Sequence, residues 1–196
     1  MLFHINPHDK KQKIMCAASR IFARKGYYQA KMEEIAREAE VGKGTVYEYF
    51  ASKQDLFLDL LSTGMKYYRE ALAEGVNPTL SCTEKLRQAA FFHLNFIQKY
   101  KDISRVFMQE CPQVNKEMKN IIIKARQGEI DFLSSIFEKG IKTGVIQNVE
   151  SRFVAQLFWG AVHAVGVSMV WTDEKLDLEK MAHEIVDVFI RGLGKQ

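Results

Sequence analysis

The sequence predicts an all-α protein of about nine helices, in which a small three-helix head precedes a larger helical body. Apolar residues recur at helical spacing through most of the chain, and only three prolines interrupt its 196 residues. Hydrophobic residues make up 47% of the composition, which is enough to form a buried core. We therefore expect a head at residues 1–52 and a body at residues 53–196.

The first predicted helix runs from Asp9 to Lys25 and ends at Gly26, because glycine commonly terminates helices. Its apolar stripe has the helical period and comprises Ile14, Ala17, Ala18, Ile21 and Phe22. Cys16 lies within this helix and is predicted to be a small core residue. We expect the helix to brace the segment that follows.

Residues 31–57 are predicted to form two short helices joined by a tight turn, followed by the start of a third. Ile35, Ala36 and Ala39 form one apolar face of the first short helix, and Val41 lies in the turn. The second short helix opens at residues 42–45. This order is the plan of a helix-turn-helix, whose second helix enters the DNA major groove by its N-terminal end.

The residue types at the start of the second helix suit contact with DNA. Gly42 and Gly44 leave backbone N–H groups accessible to an anion. Lys43 can contact phosphate or guanine, and Thr45 can contact phosphate or a thymine methyl. The same prediction includes the hydroxyl-bearing rings of Tyr47 and Tyr49 and, for the DNA backbone, Lys53. The alternative interpretation is that the tyrosines are core aromatics and the lysines are only solvated.

Positive charge is concentrated in the segment that reads as DNA-binding. Residues 1–53 hold 10 Lys or Arg against 6 Asp or Glu, whereas the remaining 143 residues hold 18 of each. The whole net charge of +4 therefore lies in residues 1–53, as expected of a segment that binds nucleic acid.

The first 57 residues resemble the N-terminal signature of the tetracycline-repressor (TetR) family. The residues that carry the resemblance are Gly26, Tyr27, Glu34, Ile35, Ala36, Ala39, Val41, Lys43, Gly44, Thr45, Val46, Tyr47, Tyr49, Phe50, Lys53 and Leu56. It implies an all-helical homodimer that binds operator DNA and whose body binds a small molecule. It also implies a cytoplasmic regulator, most often a repressor released from a palindromic operator.

Some positions depart from the family pattern. Before the first short helix, Ala30 and Lys31 stand where family members usually carry a hydroxyl residue. Ala30 cannot cap the helix, whereas Lys31 can still meet a phosphate by its charge. Glu40 stands where the family usually has a glycine in the turn. A left-handed backbone conformation at this residue would cost about 1 kcal/mol. Glu48 is an acid in a helix expected to face phosphates; it either accepts from a cytosine amino group or points away.

The body shows six further helices. Capping boxes at Ser52–Asp55 and Ser81–Glu84 open the first two of them. The predicted ranges are 52–74, 81–99, 102–110, 114–140, 153–171 and 177–193, with a break at Cys111–Pro112 and a loop from Gly140 to Asn148.

The helix at residues 153–171 is apolar along nearly its whole length and about long enough to span a bilayer. Because it contains Gln156, His163 and Ser168, we interpret it as a helix buried by protein on all sides, with a membrane span as the alternative. The last two helices are predicted to form the homodimer interface, since reading a palindrome requires two heads. Plain core packing is the competing interpretation.

The family resemblance implies an effector pocket between the middle helices. Candidate lining residues are His93, Phe96, Phe107, Met108, Phe132, Phe158, Trp159 and His163, and residues of each of these types in such a context are more often plain core than pocket. Such a pocket suits a small hydrophobic effector. The break before the apolar helix is similar to that of fatty-acid-responsive members of the family, which points to an acyl chain or acyl-CoA; a drug-like effector stays an equal alternative.

No catalytic or metal-binding pattern is present in the sequence. The segment GKGT at Gly42 lacks the spacing of a phosphate loop, and no HExxH, GxGxxG or nucleophile elbow occurs. Cys16, Cys82 and Cys111 form no ligand set and fit a reducing cytoplasm. We therefore expect no enzyme, cofactor or metal. The competing hypothesis is a non-enzymatic sensor or carrier whose head binds a protein partner.

Overall fold

The computed structural model describes residues 9–110, 116–172 and 176–193. These ranges contain nine α-helices and no strand, which confirms the all-α prediction. The helices are α1 (Lys10–Gln29), α2 (Met32–Glu38), α3 (Lys43–Tyr49), α4 (Lys53–Gly75), α5 (Cys82–Lys99), α6 (Lys101–Glu110), α7 (Lys116–Lys142), α8 (Ser151–Trp171) and α9 (Leu178–Leu193). The predicted break at Cys111–Pro112 and the predicted helix start at Val114 lie outside the described residues.

The chain divides into two compact units by its internal contacts. The first comprises residues 1–67 and 100–123, and the second comprises residues 68–99 and 124–196. In the first unit, α1 packs against α2 and α6, and Phe22 meets Phe57 edge-on with ring centroids 5.3 Å apart. The apolar faces predicted for α1 and α2 are buried, and Cys16 is 6% exposed as predicted.

Gly26 interrupts α1, as its position in the sequence predicts. Its φ of 74° and ψ of 167° are non-helical, and helical residues resume beyond it to Gln29. A positive φ is accessible to glycine without steric cost, which explains why this residue kinks the chain before the helix-turn-helix.

The turn between α2 and α3 contains a strained residue. Glu40 has a φ of 56°, the left-handed conformation expected where a glycine is usual. The N–H of Val41 donates to the carbonyl of Ala36 at 3.0 Å, which closes the turn. The strain costs about 1 kcal/mol and is held by this bond and by burial of Ala39.

The predicted helix end at Gly140 is wrong, because α7 continues to Lys142. Gly140 serves close packing instead: a Cβ built there would lie 2.8 Å from both Cys82 Sγ and Ile146 Cδ1. The chain turns at Gly144, which has a φ of 75°. Two glycines four residues apart are equally plausible helix ends in the sequence, and only packing separates their roles.

In the second unit, α5 packs against α8 and α9 around an apolar core. Within the single subunit, the expectation that protein covers α8 on all sides is wrong. Phe153 and Leu157 are 57% and 51% exposed, whereas Phe158 and Val162 on the other face are buried. Helix α8 is long and apolar enough to cross a membrane by composition, a test that core helices of soluble proteins also pass.

Candidate DNA-binding surface and ligand pocket

The N-terminus of α3 presents bare backbone. Gly42 is its N-cap, in an extended conformation with no side-chain capping bond. A Cβ built on Gly44 would meet nothing within 4 Å, so the start of the helix faces open space. Lys43 is exposed and Thr45 is half-buried in the first turn. This surface leaves the N–H groups of α3 accessible to an anion.

Tyr47 and Tyr49 point outward from α3. They are 45% and 44% exposed. Val46, which directly precedes Tyr47, is 0% exposed and packs α3 into the core of the head. The interpretation of these two tyrosines as core aromatics is therefore wrong. Glu48 is also exposed, so α3 presents one acid among its solvent-facing residues.

Lys43 is paired with an acid that the sequence analysis did not connect to it. Its Nζ lies 2.5 Å from Oε1 of Glu33 on α2, and both side chains are more than half exposed. The hydrogen bond from Lys43 lowers the pKa of the Glu33 carboxyl, and the same bond raises the pKa of Lys43. In this conformation the lysine at the start of α3 is bound to a carboxylate of the same chain.

The other acids of α2 also have cationic partners. Glu34 accepts from Lys25 at 2.6 Å, and Glu38 accepts from Arg20 and Arg24 at 2.7 and 3.1 Å. The bond from Lys25 is the main cause of the lowered pKa of Glu34, and the bond from Arg20 is the main cause of the lowered pKa of Glu38. Much of the positive charge of α1 is therefore compensated within the head.

Lys31 precedes α2 and has an exposed side chain, while its N–H donates to Glu34 Oε2 at 3.3 Å. Ala30 beside it is buried. The carboxylate of Glu34 thus satisfies one N–H at the start of a helix that lacks a hydroxyl cap.

Lys53 is bonded within the head. Its Nζ donates to the carbonyl oxygens of Tyr27, Tyr28 and Ala30 at 2.7, 3.1 and 2.9 Å. The ammonium also lies 4.6 Å from the centre of the Tyr27 ring. The segment between α1 and α2 is therefore tied to the first residue of α4.

The second unit contains a cavity of about 20 Å³, room for about one water molecule. Its lining combines aliphatic residues with a group of polar and aromatic side chains, and comprises Tyr68, Leu72, Ala89, Ala90, His93, Glu129, Leu133, Phe158, Trp159 and Val162. The sequence analysis named three of these residues, His93, Phe158 and Trp159.

A connected series of polar side chains crosses this region from α4 to α7. The Tyr68 hydroxyl lies 2.7 Å from His93 Nδ1, and His93 Nε2 lies 3.4 Å from His163 Nδ1. The His163 ring stacks on Trp159 with centroids 4.4 Å apart, and the Trp159 indole N–H donates to Glu129 Oε2. Four helices thus contribute to one buried polar network.

Burial keeps most of this network uncharged. It lowers the pKa of His93 to about 3, with a further contribution from His163, and it also lowers the pKa of His163. Burial raises the pKa of Glu129 to about 7, against the opposing effects of the Trp159 bond and of Arg126. The pKa of Tyr68 is raised by its burial and by Glu129. Burial thus shifts the pKa of the Glu129 carboxyl toward neutral pH and biases the two histidines toward their uncharged forms.

The remaining candidate pocket residues lie elsewhere. Phe96 packs edge-on against Tyr68 with centroids 4.9 Å apart, and Phe132 lies partly buried against the apolar core. Phe107 and Met108 belong to the first unit, where Phe107 packs on Phe57. Tyr68 and Glu129 also line the cavity but are absent from the predicted pocket residues. Their signal was polar side chains at positions that continue an apolar stripe.

Both parts of the chain match known protein families. Residues 14–60 match the model of the bacterial regulatory proteins of the tetR family, and residues 62–192 match that of the YsiA-like protein C-terminal region. The chain belongs to the TetR family. It is a DNA-binding transcriptional regulator of the ligand-responsive kind, and a head that binds a protein partner instead is not favoured.

Relatives of this TetR-family regulator extend over nearly its full length. The fatty acid metabolism regulator protein of Bacillus subtilis is 26% identical over 185 residues, covering 94% of this chain and 95% of the relative. The crystal structure of FadR from Bacillus subtilis in complex with stearoyl-CoA is 26% identical, with a TM-score of 0.81 over 92% of this chain and 98% of that one. FadR from Bacillus halodurans is also 26% identical, with a TM-score of 0.82 over 95% and 97% of the two chains.

These relatives are transcriptional regulators. Within the described residues, no group of three or more His, Cys, Asp or Glu side chains is arranged to hold a metal ion.

Proposed function

We propose that this regulator is a homodimeric repressor that leaves a palindromic operator when a long-chain acyl-CoA binds its body. The observation that carries the proposal is the full-length similarity to FadR, a regulator whose structure holds stearoyl-CoA. The apolar second unit with a polar network inside it suits a ligand with a long apolar chain and a polar group. A drug-like molecule is the alternative effector, and it is therefore used as the control ligand.

In this proposal the head contacts DNA through α3 and the residues beside it. The backbone of Gly42 and Gly44 approaches phosphate, while Lys43 and Thr45 reach base edges or phosphate. Their accessibility supports these roles. Tyr47 and Tyr49 extend the same surface, and Lys31 adds a charge at its edge. Lys53 acts on this surface through the carbonyls that it holds.

The homodimer forms through α8 and α9. The exposed face of α8 carries Phe153 and Leu157 together with small residues, and a Cβ built on Gly160 would meet nothing within 4 Å. On α9, Val188 is 71% exposed. Exposed apolar and small side chains on adjacent helices favour close packing against a second copy, and a two-fold dimer matches a palindrome with half-sites about 34 Å apart. The same pairing would cover α8, so that no membrane is required.

The protein acts in the cytoplasm, where its DNA is, and catalyses no reaction. Binding of the effector weakens binding of the operator by a coupling free energy of about 1–3 kcal/mol, which is typical of allosteric pairs of sites. Domain roles follow the predicted division, with residues 1–52 reading DNA and residues 53–196 binding the effector and the second subunit.

The test is a fluorescence-anisotropy titration with DNA from beside the gene of this protein and with a scrambled duplex, at two salt concentrations. We expect preferential, salt-sensitive binding at two subunits per site and release by stearoyl-CoA. A Thr45→Val variant, which keeps the shape but removes the hydroxyl, should lose part of the preference. A hydrophobic drug-like cation serves as the ligand control. Binding without sequence preference, or release by the cation and not by stearoyl-CoA, would contradict the proposal.

A further inference from the structure

Glu129 occupies an unusual position in the second unit. Its side chain is buried on α7 and lines the cavity of about 20 Å³. One carboxyl oxygen, Oε2, accepts from the Trp159 indole. Among the described residues, the other oxygen, Oε1, has no hydrogen-bond partner. A carboxyl with one unused oxygen therefore borders a space large enough for one water-sized group.

Apart from the Trp159 indole, which donates to this carboxyl, its neighbours around the cavity include the aliphatic side chains of Leu72, Leu133 and Val162. Burying an ionised carboxyl among them carries a desolvation cost. A buried polar group that local packing disfavours is the pattern expected at a functional site.

Two exposed guanidinium groups lie beside Glu129. Arg126, about one turn earlier on α7, lies 4.6 Å above the Trp159 ring. Arg69 on α4 passes so close to Gly128 that a Cβ built there would lie 3.3 Å from its Cδ. Within the described ranges, neither arginine forms an ion pair with a carboxylate. Both are therefore placed to meet an anionic group outside the cavity.

We infer that the Glu129 carboxyl donates a hydrogen bond to the acyl carbonyl oxygen of the effector, while Arg126 and Arg69 meet its phosphates and the acyl chain enters the apolar core. This inference rests on the proposed function and names the part of the effector that is recognised. The carbonyl oxygen occupies the cavity, which has room for about one water-sized group. The surrounding side chains must move to admit the chain, since pockets for such ligands measure about 300–1,000 Å³.

The donor role requires the protonated carboxyl, because a carbonyl oxygen only accepts. Burial raises the pKa of Glu129 to about 7, so that the acid form is available at neutral pH. The groups facing it are Tyr68 from α4, His93 from α5, His163 from α8 and Arg126 from its own helix. Burial raises the pKa of Tyr68 and lowers the pKa of His93 and of His163, so each of these groups is biased toward its uncharged form. The pKa of Glu129, at about 7, lies within the range of the experiment.

The experiment is calorimetric titration of the full chain with stearoyl-CoA and with its thioether analogue, in which a methylene replaces the carbonyl. At about pH 6 we expect the wild type to bind stearoyl-CoA about tenfold more tightly than the thioether, the worth of one well-made hydrogen bond. At about pH 8.5 the preference should shrink, because the carboxylate has lost its donor.

Variants separate this hydrogen bond from general packing. Glu129→Gln keeps a donor and an acceptor at all pH values, so it should keep the preference without pH dependence. Glu129→Leu should bind the two ligands equally. Glu138→Gln changes an exposed carboxyl of the same helix and should behave as the wild type. The comparison of two ligands on one protein remains valid even if one variant fails to fold.

The outcomes distinguish this inference from the proposed function. Equal affinity for the two ligands at about pH 6, together with release of DNA by stearoyl-CoA, would overturn the inference alone. Failure of every acyl-CoA to bind or to release DNA would overturn both. A third arm with stearate identifies the source of the carbonyl, since the free acid lacks phosphates for Arg126 and Arg69.

Discussion

The ammonium nitrogen of Lys53 lies 2.7 Å from the carbonyl oxygen of Tyr27, at the end of the first helix. The carbonyls of Tyr28 and Ala30 accept from the same nitrogen at 3.1 and 2.9 Å. These three bonds match the three donors of an ammonium group. Lys53 therefore braces the segment that leads into α2, and we expect it to influence DNA binding by positioning the helix-turn-helix.

Replacing Lys53 with Met should lower the free energy of unfolding by about 1–3 kcal/mol, because it leaves carbonyl oxygens without their charged donor. Affinity for operator and scrambled duplexes should fall together, with an unchanged salt slope, since no phosphate contact is lost. Chemical denaturation and anisotropy titrations at several salt concentrations measure the two effects. Lys31→Met is the control, and it should reduce the salt slope by about one unit. The same reduction for Lys53→Met, with unaltered stability, would make Lys53 a phosphate contact instead.

Replacing Glu33 with Gln should release Lys43 for DNA. In the described conformation Lys43 is paired with the carboxylate of Glu33, and this pair would have to open before the lysine could meet a phosphate. We expect affinity for all duplexes to rise about threefold, consistent with the small worth of an exposed ion pair. Glu179→Gln makes the same charge change on α9 of the other unit and controls for net charge. An equal rise for both variants in the anisotropy assay would show that the ion pair has no specific effect.

Replacing Leu157 with Asp should dissociate the proposed dimer without unfolding the subunit. Leu157 is 51% exposed within one subunit, so the substitution buries no charge unless a second copy packs there. We expect sedimentation at monomer mass and a loss of operator affinity of about tenfold or more, because one head reads only half of the palindrome. Ile123→Asp, at a position 58% exposed on α7, is the matched control. A dimer of unchanged affinity would place the interface elsewhere.

The histidine His93 should make the protein sensitive to acid. Its pKa is lowered by burial to about 3, whereas in the unfolded chain it is near 6.5. Below pH 6.5 the unfolded state takes up a proton that the folded state resists, so stability is lost as the pH falls from about 6.5 toward 3. The free energy of unfolding of the wild type should therefore fall relative to that of His93→Gln as the pH is lowered in this window. The change is up to about 1.4 kcal/mol per pH unit.

Glu129 acts on stability with the opposite sign, since its raised pKa lowers stability as the pH increases from about 4.5 to 7. Comparing the wild type with the single variant cancels this contribution. Denaturation curves between pH 4 and 7 provide the measurement, with His183→Gln on α9 as the control. A difference that stays constant across this range would show that His93 titrates normally in the folded protein.

Local signals predicted much of the head correctly. Gly26 breaks α1, Glu40 adopts the left-handed turn conformation, and the Ser52 hydroxyl accepts from the N–H of Asp55 at 3.1 Å. These features depend on residues a few positions apart, so the chain itself specifies them. At Gly140 the same reasoning failed, because the close approach of Cys82 and Ile146 decides its role.

The helical class, the helix-turn-helix and the family resemblance can all be predicted from the order of the residues, because helical periodicity, caps and turn residues are local properties. Which polar groups meet depends on the packing of the helices. This packing brought Tyr68, His93 and Glu129 into one network, and it brought Lys43 to Glu33 and Lys53 to the Tyr27 carbonyl. These partners lie on different segments of the chain, and their pairing depends on how the helices pack; no spacing rule in the sequence encodes it.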